Sequence, residues 1–351
     1  MGSSNKNSQK FIFLFAAIVV AIVARVWYAG LSATPAGSTD ASAAQEGTNP
    51  PHIVLMPPAG SVASSSRTAL ASTDPAGSGN GASTTAKAAY YGEEDTAHSA
   101  FTRTARTAVP SFSSEALLVS DPVNAVDIAV AHTDTRWPTA SLTKLMTATV
   151  AIDHLSMDTR ITVTPQMFAV DPDEKTLVVN GTYTVGDLLH VMLMPSSNVA
   201  AEALADYYGH TQFMAAMNDR AAQWGMADTY FDDPSGLSAA NESTAHDLAS
   251  LASHVYSDYP AVLSYTDTPE TKITELQSRT KVDVKSINTF AGDADFIGGK
   301  TGYIPQAGDN LLSLFRVNGK PVLIIVLGAA DTAQRFGDTT MLLNWFTMNY
   351  H

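Results

Sequence analysis

Three short stretches of this sequence carry side chains able to do chemistry together. Ser141-Leu142-Thr143-Lys144 places a hydroxyl and an amine three residues apart at the start of an expected helix. Both then fall on one face, one turn from each other. A serine hydroxyl is a poor nucleophile until a neighbouring base takes its proton. A lysine amine can be that base once burial or a nearby cation lowers its pKa. The helix N-terminus adds backbone N–H groups for a developing oxyanion. Ser196-Ser197-Asn198, in an expected turn between two helices, offers a hydroxyl to relay a proton towards a leaving amine. Its Asn198 offers an amide to hold a substrate amide or the Lys144 ammonium. Lys300-Thr301-Gly302, on an expected strand, sets a cation beside a hydroxyl, which is a site for a carboxylate. Gly302 lets a substrate backbone come close. Taken alone, each stretch has a plainer reading: a solvated helix face, a helix cap, and an edge strand with a solvated lysine.

The combination, in this order, resembles the serine D-Ala-D-Ala carboxypeptidases, the low-molecular-mass penicillin-binding proteins, and shares its motif set with class A β-lactamases. The likeness extends to Arg136–Ala148 around the serine, Asp187–Asn198, Phe231–Ser238, Asn241–Ala249 and Gly298–Leu311, and covers about residues 111 to 351. It implies an acyl-enzyme on Ser141, with Lys144 as general base and Ser196 and Asn198 shuttling the proton and orienting substrate. It implies that Lys300 and Thr301 engage a terminal carboxylate, with Arg335 nearby. Gly302 would admit the substrate backbone, and the N–H groups of Ser141 and Tyr303 would form the oxyanion hole. The substrate implied is the peptidoglycan stem peptide, with β-lactams as inhibitors and no cofactor. Val199 departs from the pattern, standing where many members carry Asp, a change expected to alter helix capping and to remove no catalytic group.

Positioning these residues takes an α+β fold of the DD-peptidase/β-lactamase kind: an antiparallel sheet flanked by helices, with a helical subdomain. Strands are expected at Ala116–Ser120 and Val126–Ala131, joined by a turn around Asp121-Pro122. Helices are expected from Ala140 to Leu155, after Thr184 to Pro195, from Ser197 to Tyr208, from Thr211 to Trp224 and from Thr244 to Tyr256. Strands at Lys281–Asn288, Gly298–Tyr303, Leu311–Val317 and Pro321–Gly328 and a helix over Thr332–Met348 complete the domain.

Upstream, residues 1–10 read as a cytoplasmic tail with Lys6 and Lys10. Phe11 to Ala24 is an unbroken run of 14 uncharged, mostly large apolar residues, and the span 11–28 reads as a membrane anchor or signal segment. Residues 29–110, rich in Ala, Ser, Thr, Gly and Pro, read as a disordered linker. The catalytic domain is expected over 111–351, in the cell envelope outside the cytoplasmic membrane, or secreted if the segment is cleaved.

From residue 111 onward 28 acidic residues face 13 basic ones, which argues against a nucleic-acid partner. There is no cysteine, hence no thiolate nucleophile, disulfide or thiolate zinc site. The histidines show no His-Glu-x-x-His spacing, so no metal is expected. Asp171-Pro172-Asp173-Glu174 lacks the spacing of a calcium loop and reads as a solvated turn. Among alternatives, a class A β-lactamase needs a Glu followed four residues later by Asn, which is absent. A D,D-endopeptidase or transpeptidase uses the same acyl-enzyme, and an inactive peptidoglycan-binding protein is disfavoured by three intact motifs.

Overall fold

The computed structural model describes residues 98–351. The N-terminal tail, the apolar segment 11–28 and most of the expected linker lie outside the described residues.

A five-stranded antiparallel sheet organises the domain, with strand order β2-β1-β11-β10-β9. Its strands are β1 (Ala116–Asp121), β2 (Val126–Ala131), β9 (Phe296–Ile304), β10 (Gly308–Val317) and β11 (Lys320–Ala329). The sheet is thus assembled from both ends of the domain, β1 lying between β2 and β11. Unlike an antiparallel sheet with one wet face, β1 and β11 are nearly continuous apolar runs, because both faces are covered. Alternation sorts their side chains. Leu323, Ile325 and Leu327 join the core under the helices, while Val322, Ile324 and Val326 join a second core on the opposite face.

The helical block comprises α1 (Thr143–His154), α2 (Val185–Leu193), α3 (Asn198–Tyr208), α4 (His210–Gln223), α5 (Ala245–Asp258) and α6 (Pro260–Asp267). The second face is closed by α7 (Thr332–Asn349), through Leu342, Trp345 and Phe346. Helix α1 sits at the centre of the block and its first nine residues are all buried. A helix enclosed on every side needs an apolar or hydrogen-bonded surface all round, and Thr147 and Thr149 comply by donating to the carbonyls of Pro234 and Met146.

The expected elements are present, with shifted ends and additions. A 3₁₀ turn over Ala140–Leu142 precedes α1, so Ser141 lies ahead of the regular helix. Thr184 caps α2 by accepting from Asp187 N. The sequence reading did not resolve α6, the strand β7 (Glu270–Thr274) that pairs with β8 (Lys281–Lys285), or the short pairs β3–β6 (Trp137–Pro138 with Glu242–Ser243) and β4–β5 (Arg160–Thr162 with Thr182–Thr184).

One boundary is corrected. Residues 98–110, assigned above to the linker, pack on the domain: Phe101 is buried against Phe346 with ring centroids 4.9 Å apart. Thr102 and His351 exchange two backbone hydrogen bonds of 2.8 and 3.0 Å, and Asn349 holds Thr107. The physical reason is pairing with the far end of the chain, which gives an otherwise small-residue segment a partner for its backbone.

Candidate active site

The nucleophile region is a turn held by its surroundings. Ala140 has φ +48°, the left-handed region that costs a non-glycine residue conformational energy. Several contacts fix it: Leu142 N donates to Thr139 O at 3.2 Å, and Thr139 N donates to Asn241 O at 2.8 Å. The buried Asn310 of β10 donates to Pro138 O at 2.9 Å. Gly236, at φ +84°, packs so closely that a Cβ there would lie 1.9 Å from Ala140 O. Behind the turn, Gly302 of β9 approaches to the point where a Cβ would meet Ser141 N at 3.1 Å. Ser141 N therefore lies close against Gly302, the residue before Tyr303 on β9.

Lys144, on the first turn of α1, is 0% exposed. Its Nζ donates to Ser141 Oγ at 2.8 Å, to Asn198 Oδ1 at 2.8 Å and to the carbonyl of Ser235. Burial pushes the amine down to about 7, against the opposing pull of Asp233, Asp171 and Glu202. Burial thus favours the neutral amine while it touches the hydroxyl it would deprotonate.

The second motif turns into α3. Ser196 has φ +70°, and Ser197 is the N-cap, accepting from Ala200 N at 3.1 Å. Val199 is buried, and capping does not depend on it. Lys300 Nζ donates to Ser196 Oγ at 2.8 Å and to Thr301 O at 2.9 Å, with the lysine 1% exposed. Burial holds this amine well below the usual lysine range, with the positive charges of Lys144 and Arg335 adding to the effect. The structure therefore forms two hydrogen-bonded groups, Ser141–Lys144–Asn198 and Lys300–Ser196, joined through the backbone of the Ser196–Asn198 turn. Thr301 is buried on β9, and Tyr303 stands 59% exposed at its end.

Arg335 lies beneath the third motif at 6% exposure, its Nη1 donating to Gly302 O at 3.2 Å. The same Nη1 pairs with the buried Asp309 at 2.9 Å. The sequence reading placed Arg335 near a carboxylate but missed this internal counter-ion.

Other groups escaped the sequence reading. Asp233 accepts from the backbone N–H of Ser235, Gly236 and Ser238, each at 2.6 Å, and shapes the loop that presents Ser235 O to Lys144. Burial raises its carboxyl while hydrogen bonds from Ser238, Ser235 and Gly236 lower it further, for a net depression. An Asp two residues before Ser-Gly is the signal of such a turn. The acidic run at Asp171 is more than a solvated turn: Asp171 accepts from Asn198 Nδ2 at 3.1 Å, and Glu174 accepts from Ser197 Oγ. Glu202, Asp206 and His210 bring one possible ligand atom each within 4.8 Å of one another. Burial pushes the Glu202 carboxyl up to about 7. His190 packs, its ring 4.4 Å from that of Tyr265.

Comparison with known proteins agrees with this geometry. Residues 103–331 match the family described as peptidase S11, D-alanyl-D-alanine carboxypeptidase. The chain is 32% identical over 256 residues to the D-alanyl-D-alanine endopeptidase of Escherichia coli, covering 69% of this chain and 81% of that protein. It is 32% identical over 233 residues to the D-alanyl-D-alanine carboxypeptidase of Streptomyces sp. K15, covering 60% and 79%. Among solved structures, the Streptomyces K15 DD-transpeptidase superposes with a TM-score of 0.63 at 26% identity, covering 68% of this chain and 98% of that one. Penicillin-binding protein D2 of Listeria monocytogenes, in its ampicillin-bound form, gives 0.58 at 31% identity, covering 66% and 96%. With the three motifs assembled on the same antiparallel sheet and helical block, the chain belongs to the peptidase S11 family of D-alanyl-D-alanine carboxypeptidases and is a serine D-Ala-D-Ala peptidase.

Proposed function

We propose that this enzyme removes the terminal D-Ala from peptidoglycan stem peptides in the cell envelope through an acyl-enzyme on Ser141. The observation that carries the reading is the 2.8 Å hydrogen bond between Lys144 Nζ and Ser141 Oγ at an amine lowered to about 7. Ser141 Oγ attacks the carbonyl of the penultimate D-Ala while Lys144 takes its proton. The oxyanion is stabilised by the N–H groups of Ser141 and Tyr303. The C–N bond then breaks as the proton held by Lys144 passes by way of Ser196, which Lys300 holds, to the leaving amine, and Lys144 is neutral again. Asn198 orients the substrate amide. Water, deprotonated by Lys144, attacks the ester and regenerates Ser141. Lys300 and Thr301, with Arg335 below them and Gly302 giving room, engage the terminal carboxylate.

The same acyl-enzyme serves an endopeptidase, the name carried by the Escherichia coli relative, and an amine acceptor would make the enzyme a transpeptidase. Product analysis separates these. Mass spectrometry after incubation with a pentapeptide ending in D-Ala-D-Ala should show loss of one alanine; cleavage confined to cross-linked dimers would overturn the carboxypeptidase reading. A β-lactam carbonyl can occupy the same place, so penicillin should acylate Ser141.

We further propose that the span 11–28 tethers the domain to the cytoplasmic membrane. Its apolar run between Lys10 and Arg25-Val26-Trp27-Tyr28 supports this. Among the described residues no helix is long and apolar enough to cross a membrane. Fractionation tests the tether: the full chain should sediment with membranes and need detergent for release, whereas release by salt alone would overturn it.

A further inference from the structure

The acidic run between β4 and β5 reaches the second motif from outside it. Asp171 and Glu174 sit on one turn, Glu174 N donating to Asp171 O at 3.2 Å. Glu174 accepts from Thr176 N at 2.6 Å and from the hydroxyl of the helix-capping Ser197. Asp171 accepts from Asn198 Nδ2 at 3.1 Å, and the other end of that amide, Oδ1, accepts from Lys144 Nζ at 2.8 Å.

An asparagine amide presents an acceptor at one end and a donor at the other, in nearly the same shape. Rotated by half a turn, Asn198 would aim N–H groups at the lysine amine and leave its carbonyl facing a carboxylate. Both contacts would then be repulsive. We infer that Asp171 is a positioning residue for acylation: its carboxylate holds the Asn198 amide with Oδ1 turned to Lys144, and so fixes the amine against Ser141. The inference rests on the reading of Ser141 and Lys144 given above.

Asp171 also acts on Lys144 through its charge. The ionisable groups facing that amine are Asp233 on the loop before Gly236, Glu202 on α3, Asp171 itself and Lys300 on β9. Asp171 is among those that favour the protonated form, opposing burial and keeping the base from becoming too weak. The two effects, orientation and charge, separate by substitution. Asp171→Asn keeps an acceptor oxygen for Asn198 and removes the charge. Asp171→Ala removes both.

The experiment is the rate of covalent acylation by penicillin as a function of pH, followed by intact mass, on the full chain and its variants, with thermal midpoints in parallel. Asp171→Asn should shift the rising limb to lower pH and leave the plateau close to wild type. Asp171→Ala should lower the plateau about tenfold or more, the loss expected for one hydrogen bond to a charged group. Asp171→Glu should restore part of both. If Asp171→Asn keeps the wild-type limb, the charge effect on Lys144 is overturned; if Asp171→Ala keeps the wild-type plateau, the positioning role is overturned. A plateau that falls only in proportion to the folded fraction in the thermal data overturns it equally. None of these results touches the nucleophile, which is tested by Ser141→Ala: an adduct surviving there would overturn the underlying reading instead.

Discussion

Lys144 and Lys300, both buried, donate to residues two apart in one turn: Lys144 Nζ to Asn198 Oδ1 and Lys300 Nζ to Ser196 Oγ, each at 2.8 Å. Two ammonium groups enclosed this way disfavour each other's charge, and Lys144 is among the causes that depress Lys300. Burial and the neighbouring charge thus disfavour the cation on Lys300, and a bound carboxylate is the group that would return charge to it.

The nucleophile is tested by mass. The folded protein should gain one drug mass with penicillin, and Ser141→Ala should gain none. Retention of the adduct in Ser141→Ala would place the acylated residue elsewhere.

Removal of the base should be costly and pH-diagnostic. Lys144→Ala should slow acylation by about 10²-fold or more, the usual size of general-base catalysis. In the wild type the base acts only when neutral, so the rate should rise with pH through the folded-state value of about 7 and level off above it. A rate that falls across that range would rule out Lys144 as the base.

Arg335 is tested by pairs of substrates. Arg335→Ala should weaken peptides with a free terminal carboxylate by about 1.5–3 kcal/mol, the range for hydrogen bonds to charged groups, and spare their amides. It should also destabilise the fold, because Asp309 is left buried without its counter-ion. Comparing kcat/KM for acid and amide forms corrects for the lost stability, since unfolding lowers both equally. Equal losses would make Arg335 a purely structural partner of Asp309 and Gly302.

Gly236 is tested by one methyl group. Gly236→Ala places a Cβ 1.9 Å from Ala140 O at a backbone with φ +84°, so the nucleophile turn must move. Acylation should fall about 10²-fold, as misplacement of reacting groups by about an ångström does. Wild-type acylation of this variant would show that the turn is not fixed from that side.

His246 governs a pH dependence of stability rather than of activity. It bridges Asp127 at 2.8 Å and Asp134 at 2.6 Å, and the hydrogen bond it donates to Asp127, aided by Asp134 and opposed by burial, lifts it to about 9. A raised value means the contribution is complete below the ordinary histidine value of about 6.5. It is lost as pH rises through about 9. Thermal midpoints of wild type and His246→Gln should differ most near pH 6 and converge near pH 10; a constant difference would remove the ion-pair explanation.

Much of this was readable from local pattern. The three motifs, the Thr184 cap and the apolar runs of β1, β10 and β11 announce themselves within a few residues. Asp233 could have been found from its spacing to Ser235 and Gly236, which is that of a side-chain-stabilised turn. Asp171 could not, because its meaning lies in a contact with Asn198 twenty-seven positions away. Phe101 and Thr102 were hidden for the same reason, their partners being Phe346 and His351 at the other end of the chain. Helix α6 begins at Pro260, two residues after α5 ends, and its eight residues, beyond the expected helix Thr244–Tyr256, are too few to show a periodic pattern. β7 is short and mostly solvated, so its pattern carries little burial to be seen.

The sheet ends at β9, which among the described residues has a strand neighbour only on its β10 side. A bare edge ordinarily invites another chain to zip alongside it. Here the first half is roofed by α6: Gly299 N donates to Thr266 Oγ1 at 3.0 Å, and Gly298 lies so close that a Cβ would fall 2.8 Å from Leu263 O. In the other half Thr301, Gly302 and Ile304 are buried beside the Ser141 turn, and Tyr303 alone is exposed. An edge that short leaves an incoming strand little room to slide. It is also too short to recruit a second copy of the protein into a growing sheet.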